Sequence, residues 1–195
     1  MIAKCLVWAG ALSPAAWLAY RAWTGDLGAN PIEEIQLATG WWGLTFLVCT
    51  LAVTPIRRFT RWKRVVRLRR LVGLFAFFYV TLHFLNYLVL DQFFAWEYIA
   101  EDILERPFIT IGFAAWLILL SLASTSTTGW IRRLGGRWRQ LHSLIYIAAV
   151  LGALHFTWKV KADTREPLVF AVVLAVLLAS RVPDLRRRRG SRKPA

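Results

Sequence analysis

The chain has 195 residues, 57% of them hydrophobic and only 18% charged, with a mean hydropathy of +0.47. That balance excludes an ordinary soluble domain, and the net charge of +14 then points to a membrane protein with clustered basic loops. The length allows one domain. Cys5 and Cys49 lie in apolar segments without CxxC or zinc spacing and read as small apolar residues.

Crossing about 30 Å of hydrocarbon takes roughly 20 apolar residues. In chain order, six segments are candidates: 5–23, 36–54, 71–90, 108–123, 141–158 and 167–181. The first follows Lys4 and imitates a signal peptide, but "AWLAYRAW" closes it with bulky aromatics instead of a small-residue cleavage site. It is expected to remain as a helix. The fourth and sixth segments are short, and the sixth begins at Pro167, a favourable first helical position. The basic stretch 183–195, with "RRRRGSRKPA", reads as a disordered, solvated tail. The expected fold is all-α: a six-transmembrane-helix bundle over residues 1–182.

Charge orients this bundle. The N-terminus, the 55–70 and 124–140 linkers and the C-terminal tail together hold 20 of the 25 Lys and Arg. The opposite side holds only Arg21, Arg106, Lys159, Lys161 and Arg165, and ten of the eleven acids. The positive-inside rule therefore predicts that both termini are cytoplasmic. The 55–70 cluster reads as topogenic charge in contact with anionic lipid. Its place between two spans at the membrane surface argues against nucleic acid.

The only histidines, His83, His142 and His155, all fall inside expected spans. Ionisable groups in spans are uncommon and usually face the bundle interior. A single one is often a polar side chain bonded across helices, but three of three, with none in a loop, favour ligands. Thiolates are absent from these helices, and the acid nearest to them in a span is Asp91, at the far end of the third. Zinc and di-iron sites need such donors. Histidine-only ligation in an apolar bundle suits haem, whose macrocycle supplies four nitrogens. "LFAFFYVTLHF" offers aromatic walls.

Depth pairs the histidines. Helices three and five run in the same direction, and His142 and His155 are about 20 Å apart along the fifth. His83 and His155 then share a depth near the outer side, where they are expected to clamp one haem. His142 lies near the inner side and needs another partner. Arg69, fourteen residues before His83, returns to within about 40° of the same helical face. Two readings stand for it: one of eight linker cations, or an anchor or ligand for an inner cofactor. Thirteen residues also leave His142 and His155 about 140° apart in azimuth. Either helix five is overwound or bent, for instance near Gly152, or the two cofactors sit at different azimuths.

At this point the chain resembles a known family. The residues are "RRLVGLFAFFYVTLHFLNYLVLD" (69–91), "ERPFITIGFAAW" (105–116), the stretch 122–171 with its "RWRQLH…H…W…K.D..EP" run and, more loosely, 40–58. They are similar to the haem-binding membrane subunit of the bacterial periplasmic protein-methionine-sulfoxide reductase system, the MsrQ or YedZ family, within the ferric-reductase-like transmembrane group. The resemblance implies a multi-pass inner-membrane protein with one or two haems b, passing electrons outward to a periplasmic molybdenum-cofactor (molybdopterin) subunit that reduces methionine sulfoxide in damaged proteins. It implies the quinone pool as donor, with FMN as an additional cofactor, and carries haem ligation onto His83, His142 and His155. The wider group has two histidines on each of two helices, and this chain departs from that at Arg69.

The residues themselves agree that a separate donor is required, from membrane quinol or a soluble flavin reductase. The spans use up nearly all the chain, and there is no GxGxxG motif. Gly135 and Gly136 permit close backbone approach to a phosphate, which makes Arg137 and Trp138 candidate contacts for FMN or a quinone head. The other reading is a helix-start loop with topogenic charge and an interfacial Trp. Lys161, with Lys159 and Arg165, is a candidate for docking the partner subunit or holding haem propionates, set against interfacial snorkelling. Rival functions are a self-contained cytochrome b-type ferric or quinone reductase, a histidine-dependent proton-coupled transporter, and a purely structural anchor.

Overall fold

The computed structural model describes residues 2–160 and 163–181. Lys161 and the 183–195 tail, both singled out above, lie outside the described residues. Among those residues all regular structure is helical: α1 (Ile2–Thr24), α2 (Pro31–Thr60), α3 (Arg69–Leu85), α4 (Trp96–Glu105), α5 (Pro107–Ser124), α6 (Thr128–Leu134), α7 (Gly136–His142), α8 (Ile145–Lys159) and α9 (Arg165–Ala179). A 3-10 turn, Lys63–Leu68, leads into α3, and a π-helical turn, Asn86–Asp91, extends it.

Among the described residues, four stretches are long and apolar enough to cross a membrane: Pro31–Thr60, Lys63–Asp91, Pro107–Ser124 and Gly136–Lys159. The first and sixth expected spans are helices that fall short of that measure. α9 has 15 residues, about 22 Å of helix. It starts at Arg165, so Pro167 sits inside the first turn, where its missing N–H still leaves no bond unmade. α1 has 23 residues, but Lys4, Ser13, Pro14 and Arg21 dilute its apolar character. The basic linker 124–140 is largely helical, as α6 and α7.

Local chemistry sets the helix ends. Asn30 accepts a hydrogen bond from the Glu33 amide at 3.3 Å and Pro31 follows it, a cap and first-turn pair that opens α2. Glu33 and Glu34 lie at the positive end of its dipole. Prolines inside helices free a carbonyl one turn back, and each freed carbonyl here has a new partner. Pro55 leaves Leu51 O without its helical donor, and Arg181 Nη2 donates to it at 2.7 Å. Pro14 does the same to Gly10 O, which accepts from Ser13 Oγ at 3.0 Å. In the next rung, the Tyr79 hydroxyl stands between Ala15 N and Ala11 O, accepting at 3.1 Å and donating at 2.6 Å. Tyr79 is fully buried and pins α1 to α3.

The bundle is organised as two intimate helix pairs, α2 against α3 and α5 against α8. Their common core is Leu44, Leu47, Leu51, Ala76, Leu119, Leu122, Ala148, Ala149 and Ala153, with Leu174 of α9. α1 packs on the first pair, around Ala11, Phe75 and Tyr79. One end of the bundle carries Arg57, Arg58 and the Lys63–Arg70 cations; the other carries Glu33, Glu34, Asp91 and the acids of α4. They are called the basic and acidic ends below.

Candidate functional site

His83 lies in the last turn of α3 and His155 on α8, both towards the acidic end. The structure brings them together. Their ring centres are 5.9 Å apart and the ring planes are perpendicular, at 88°. His83 Nδ1 is 2.9 Å from the Gln36 carbonyl, and His155 Nδ1 is 2.7 Å from the Phe108 carbonyl. A carbonyl only accepts, so each neutral imidazole carries its proton on Nδ1 and its lone pair on Nε2. The backbone thus fixes the tautomer that a metal-ligating histidine needs.

Each socket has the same construction. In a helix the side chain of a residue leans towards the N-terminus and covers the carbonyl four residues earlier. The residue four beyond Gln36 is Gly40, and four beyond Phe108 is Gly112. With no Cβ there, the carbonyl is open from the side and the imidazole lies where a side chain would be. A Cβ on Gly40 would sit 2.9 Å from His83 Nδ1, and one on Gly112 only 2.6 Å from His155 Nδ1. Both histidines also lie 47 residues beyond their carbonyl partner.

The spacing of the two rings suits one iron shared by both imidazoles. Two imidazoles bound to one metal through bonds of about 2 Å have ring centres roughly 6 Å apart, as observed. Among the described residues no group of three or more His, Cys, Asp or Glu is placed to hold a metal ion by itself. Two imidazoles suit a group that brings its own further donors, as a porphyrin does. Phe108 lies 6.1 Å from the His155 ring, and next along the chain from His83 and Gly112 are Phe84 and Phe113, which stack on Trp116 at 4.5 Å and 5.9 Å.

Polar groups surround His83 in particular. Gln36 Nε2 is 3.2 Å from His83 Nε2 and donates to its lone pair. Gln36 Oε1 accepts from Asn86 Nδ2 at 2.6 Å, and Asn86 Nδ2 also donates to Ile32 O at 3.1 Å. Lys159 lies near both His83 and His155.

His142 is separate from that pair. It ends α7, stacks on Trp138 with ring centres 4.0 Å apart, and meets Thr125 Oγ1 at 3.0 Å. Trp138 Nε1 donates to Thr125 O at 3.0 Å. Trp138 is thus part of the His142 environment, while Arg137 lines an open cavity with Arg133, Leu134, Gly136 and Gln140. Arg69 opens α3 and acts electrostatically on His142 and Arg181. Of the alternatives for the azimuthal mismatch on the fifth expected span, the backbone shows a local tightening. The helix breaks at Ser143–Leu144, where Ser143 N bonds Gln140 O, Leu144 N bonds Leu141 O and Tyr146 N bonds Ser143 O. Ser143 N–H is shared with Arg139 O, so the chain tightens here only part of the way from about 100° towards 120° per residue, which narrows the 140° gap and leaves a difference in azimuth between the two rings. Gly152, in unbroken helix, is not the bend.

Reasoning from sequence missed Gln36, Gly40, Asn86 and Gly112. The signal was present as an internal echo: "QLATG" before His83 and "FITIG" before His155, at equal offset.

The class follows from this bundle with its histidine pair: the chain belongs to the ferric reductase like transmembrane component family, which matches residues 39–153. Within that class, its full-length relatives are proteins named protein-methionine-sulfoxide reductase heme-binding subunit MsrQ. It is 54% identical to the one from Rhodospirillum rubrum over 100% of this chain and 94% of the relative. It is 52% identical to that of Xanthomonas euvesicatoria over 92% and 85%, and 46% identical to that of Caulobacter vibrioides over 97% and 90%.

Proposed function

We propose that this chain is the b-type haem subunit of a methionine sulfoxide reductase system, carrying electrons across the bacterial inner membrane. The observation that supports it best is the His83/His155 pair, two imidazoles 5.9 Å apart with both Nδ1 atoms committed to backbone carbonyls. The relatives' names, which speak of heme binding and methionine sulfoxide reductase, favour the same reading. A bound haem supplies a one-electron carrier. The chain's own residues orient it, wall it with Phe84, Phe113 and Trp116, and keep water from it.

In this reading the chain spans the membrane six times with cytoplasmic termini, as the distribution of Lys and Arg favours. The basic end then faces the cytoplasm and the His83/His155 pair lies towards the periplasm. The donor is the quinone pool, and the acceptor is a periplasmic molybdopterin-containing reductase that handles the oxidised protein. His142, with Arg69 nearby, serves an inner cofactor. FMN is assigned to the basic end, with Arg137 and its cavity neighbours as phosphate contacts. Lys161 is assigned to haem propionates or to the partner.

Optical spectra of the detergent-purified protein, oxidised and dithionite-reduced, test this with haem quantified per chain. A b-type spectrum is expected in the wild type and lost in His83→Ala and His155→Ala. Haem-free but folded wild-type protein, made with ample haem supply, would sink the reading and favour a transporter or anchor.

A further inference from the structure

The two histidine sockets share a carbonyl and a glycine, but not the side chain above the ring. The residue that lends its carbonyl to His83 is Gln36; its counterpart for His155 is Phe108. Gln36 therefore holds His83 at both nitrogens. Its backbone oxygen accepts from Nδ1, and its side-chain amide donates to Nε2 at 3.2 Å. That amide is aimed by Asn86, whose Nδ2 donates to Gln36 Oε1 at 2.6 Å. Asn86 is 4% exposed, and its own Oδ1 is buried without a hydrogen-bond partner. Buried polar atoms are nearly always paired, so an orphaned acceptor marks a group awaiting something. Asn86 also opens the π-helical turn that follows His83, a distortion common at functional sites.

We infer that Gln36 is a latch on His83: a positioning residue whose side-chain amide covers the coordinating lone pair of Nε2 until haem iron takes it. This rests on the haem reading above. One lone pair serves one partner, so ligation by His83 must break the Gln36 contact. The released amide has a destination. The Gln36 and Asn86 carboxamides already share one N–H to oxygen bond, and turning Gln36 Nε2 towards Asn86 Oδ1 makes the second, pairing the orphaned acceptor. His155 carries no such amide. His155 would accordingly be free to hold haem iron first, and His83 only once its latch has turned away.

The test uses the full-length chain, purified in detergent from haem-deficient cells and mixed rapidly with ferric haem while the Soret band is followed. Gln36→Leu is expected to speed the final phase roughly 2- to 10-fold, the span covered by one neutral hydrogen bond. The end-point spectrum should be unchanged. Phe108→Gln, which places an equivalent amide beside His155, is expected to slow uptake by a similar factor, and it serves alone if Gln36→Leu does not fold. An unchanged or slower rate in Gln36→Leu, or an unchanged rate in Phe108→Gln, overturns the latch and leaves the histidine pair standing. Wild-type protein that takes up no haem overturns the haem reading itself, and the latch with it.

Discussion

The α2/α3 and α5/α8 pairs solve one problem with one device and then diverge. Both hold an imidazole against a glycine, with Nδ1 on the carbonyl one turn earlier. Around His83 the pair adds Gln36, Asn86, a π-helical turn and the pinned helix α1. Around His155 the α5/α8 pair adds, among the described residues, the Phe108 ring, while Lys159 stands near both histidines. What is shared fixes a ring and its tautomer. What differs lies on the His83 side, so control over ligation is expected there and plain affinity on the other.

Filling the glycines is the strongest way to break the shared part. A methyl at Gly112 would stand 2.6 Å from His155 Nδ1 and 3.2 Å from its Cγ, so the ring must leave and lose the Phe108 carbonyl. Loss of such an orienting bond typically costs 10- to 100-fold in metal affinity. Gly112→Ala is expected to lower haem affinity by about that much. Gly40→Ala should do less, because its methyl would meet His83 at 2.9 Å and 3.0 Å. Haem per chain and haem loss to a scavenger protein measure both. Full retention by Gly112→Ala would end the claim that the sockets are built on glycine.

A second substitution sharpens the difference. Tyr79 is one turn before His83 on α3, and its hydroxyl closes the opened rung of α1. Tyr79→Phe leaves Ala15 N–H and Ala11 C=O unbridged in apolar surroundings, a cost of about 1–3 kcal/mol. The expected result is a lower unfolding temperature and easier proteolysis at α1, with the haem spectrum kept. α1 packs mainly on the α2/α3 half, so loss of haem would mean the two halves are coupled more tightly than their packing indicates.

How far these features can be read from the sequence depends on their range. Helical content, clustered charge and the depth match of His83 with His155 follow from hydropathy and a rise per residue, and both rings do meet. The sockets were less legible because they are contacts between helices 47 residues apart. A glycine in a helix reads locally as a weak position, and only a partner ring gives it purpose. Gln36 stood at the edge of an expected span and looked like a boundary residue. α4 was missed because its alternation of Glu97, Glu101 and Glu105 with Ile99 and Ile103 makes a short amphipathic helix, not an apolar run.

The smallest expected effect concerns where the chain turns between His142, at the end of α7, and His155 on α8. Placing the bend at Gly152 would make that glycine necessary for bringing His155 to His83. The backbone instead tightens at Ser143–Leu144, through the i to i−3 bonds of Ser143, Leu144 and Tyr146, and runs unbroken from Ile145 to Lys159. A Cβ on Gly152 would touch only Leu44 Cδ1, at an ordinary 3.5 Å. Alanine there removes a backbone entropy cost of up to about 1 kcal/mol in a helix interior. Gly152→Ala is therefore expected to hold its haem fully and to unfold at the same or a slightly higher temperature. A haem-deficient Gly152→Ala would place the flexing point of α8 beside its ligand, and the two helix pairs would then differ in stiffness as well as in the side chain above the ring.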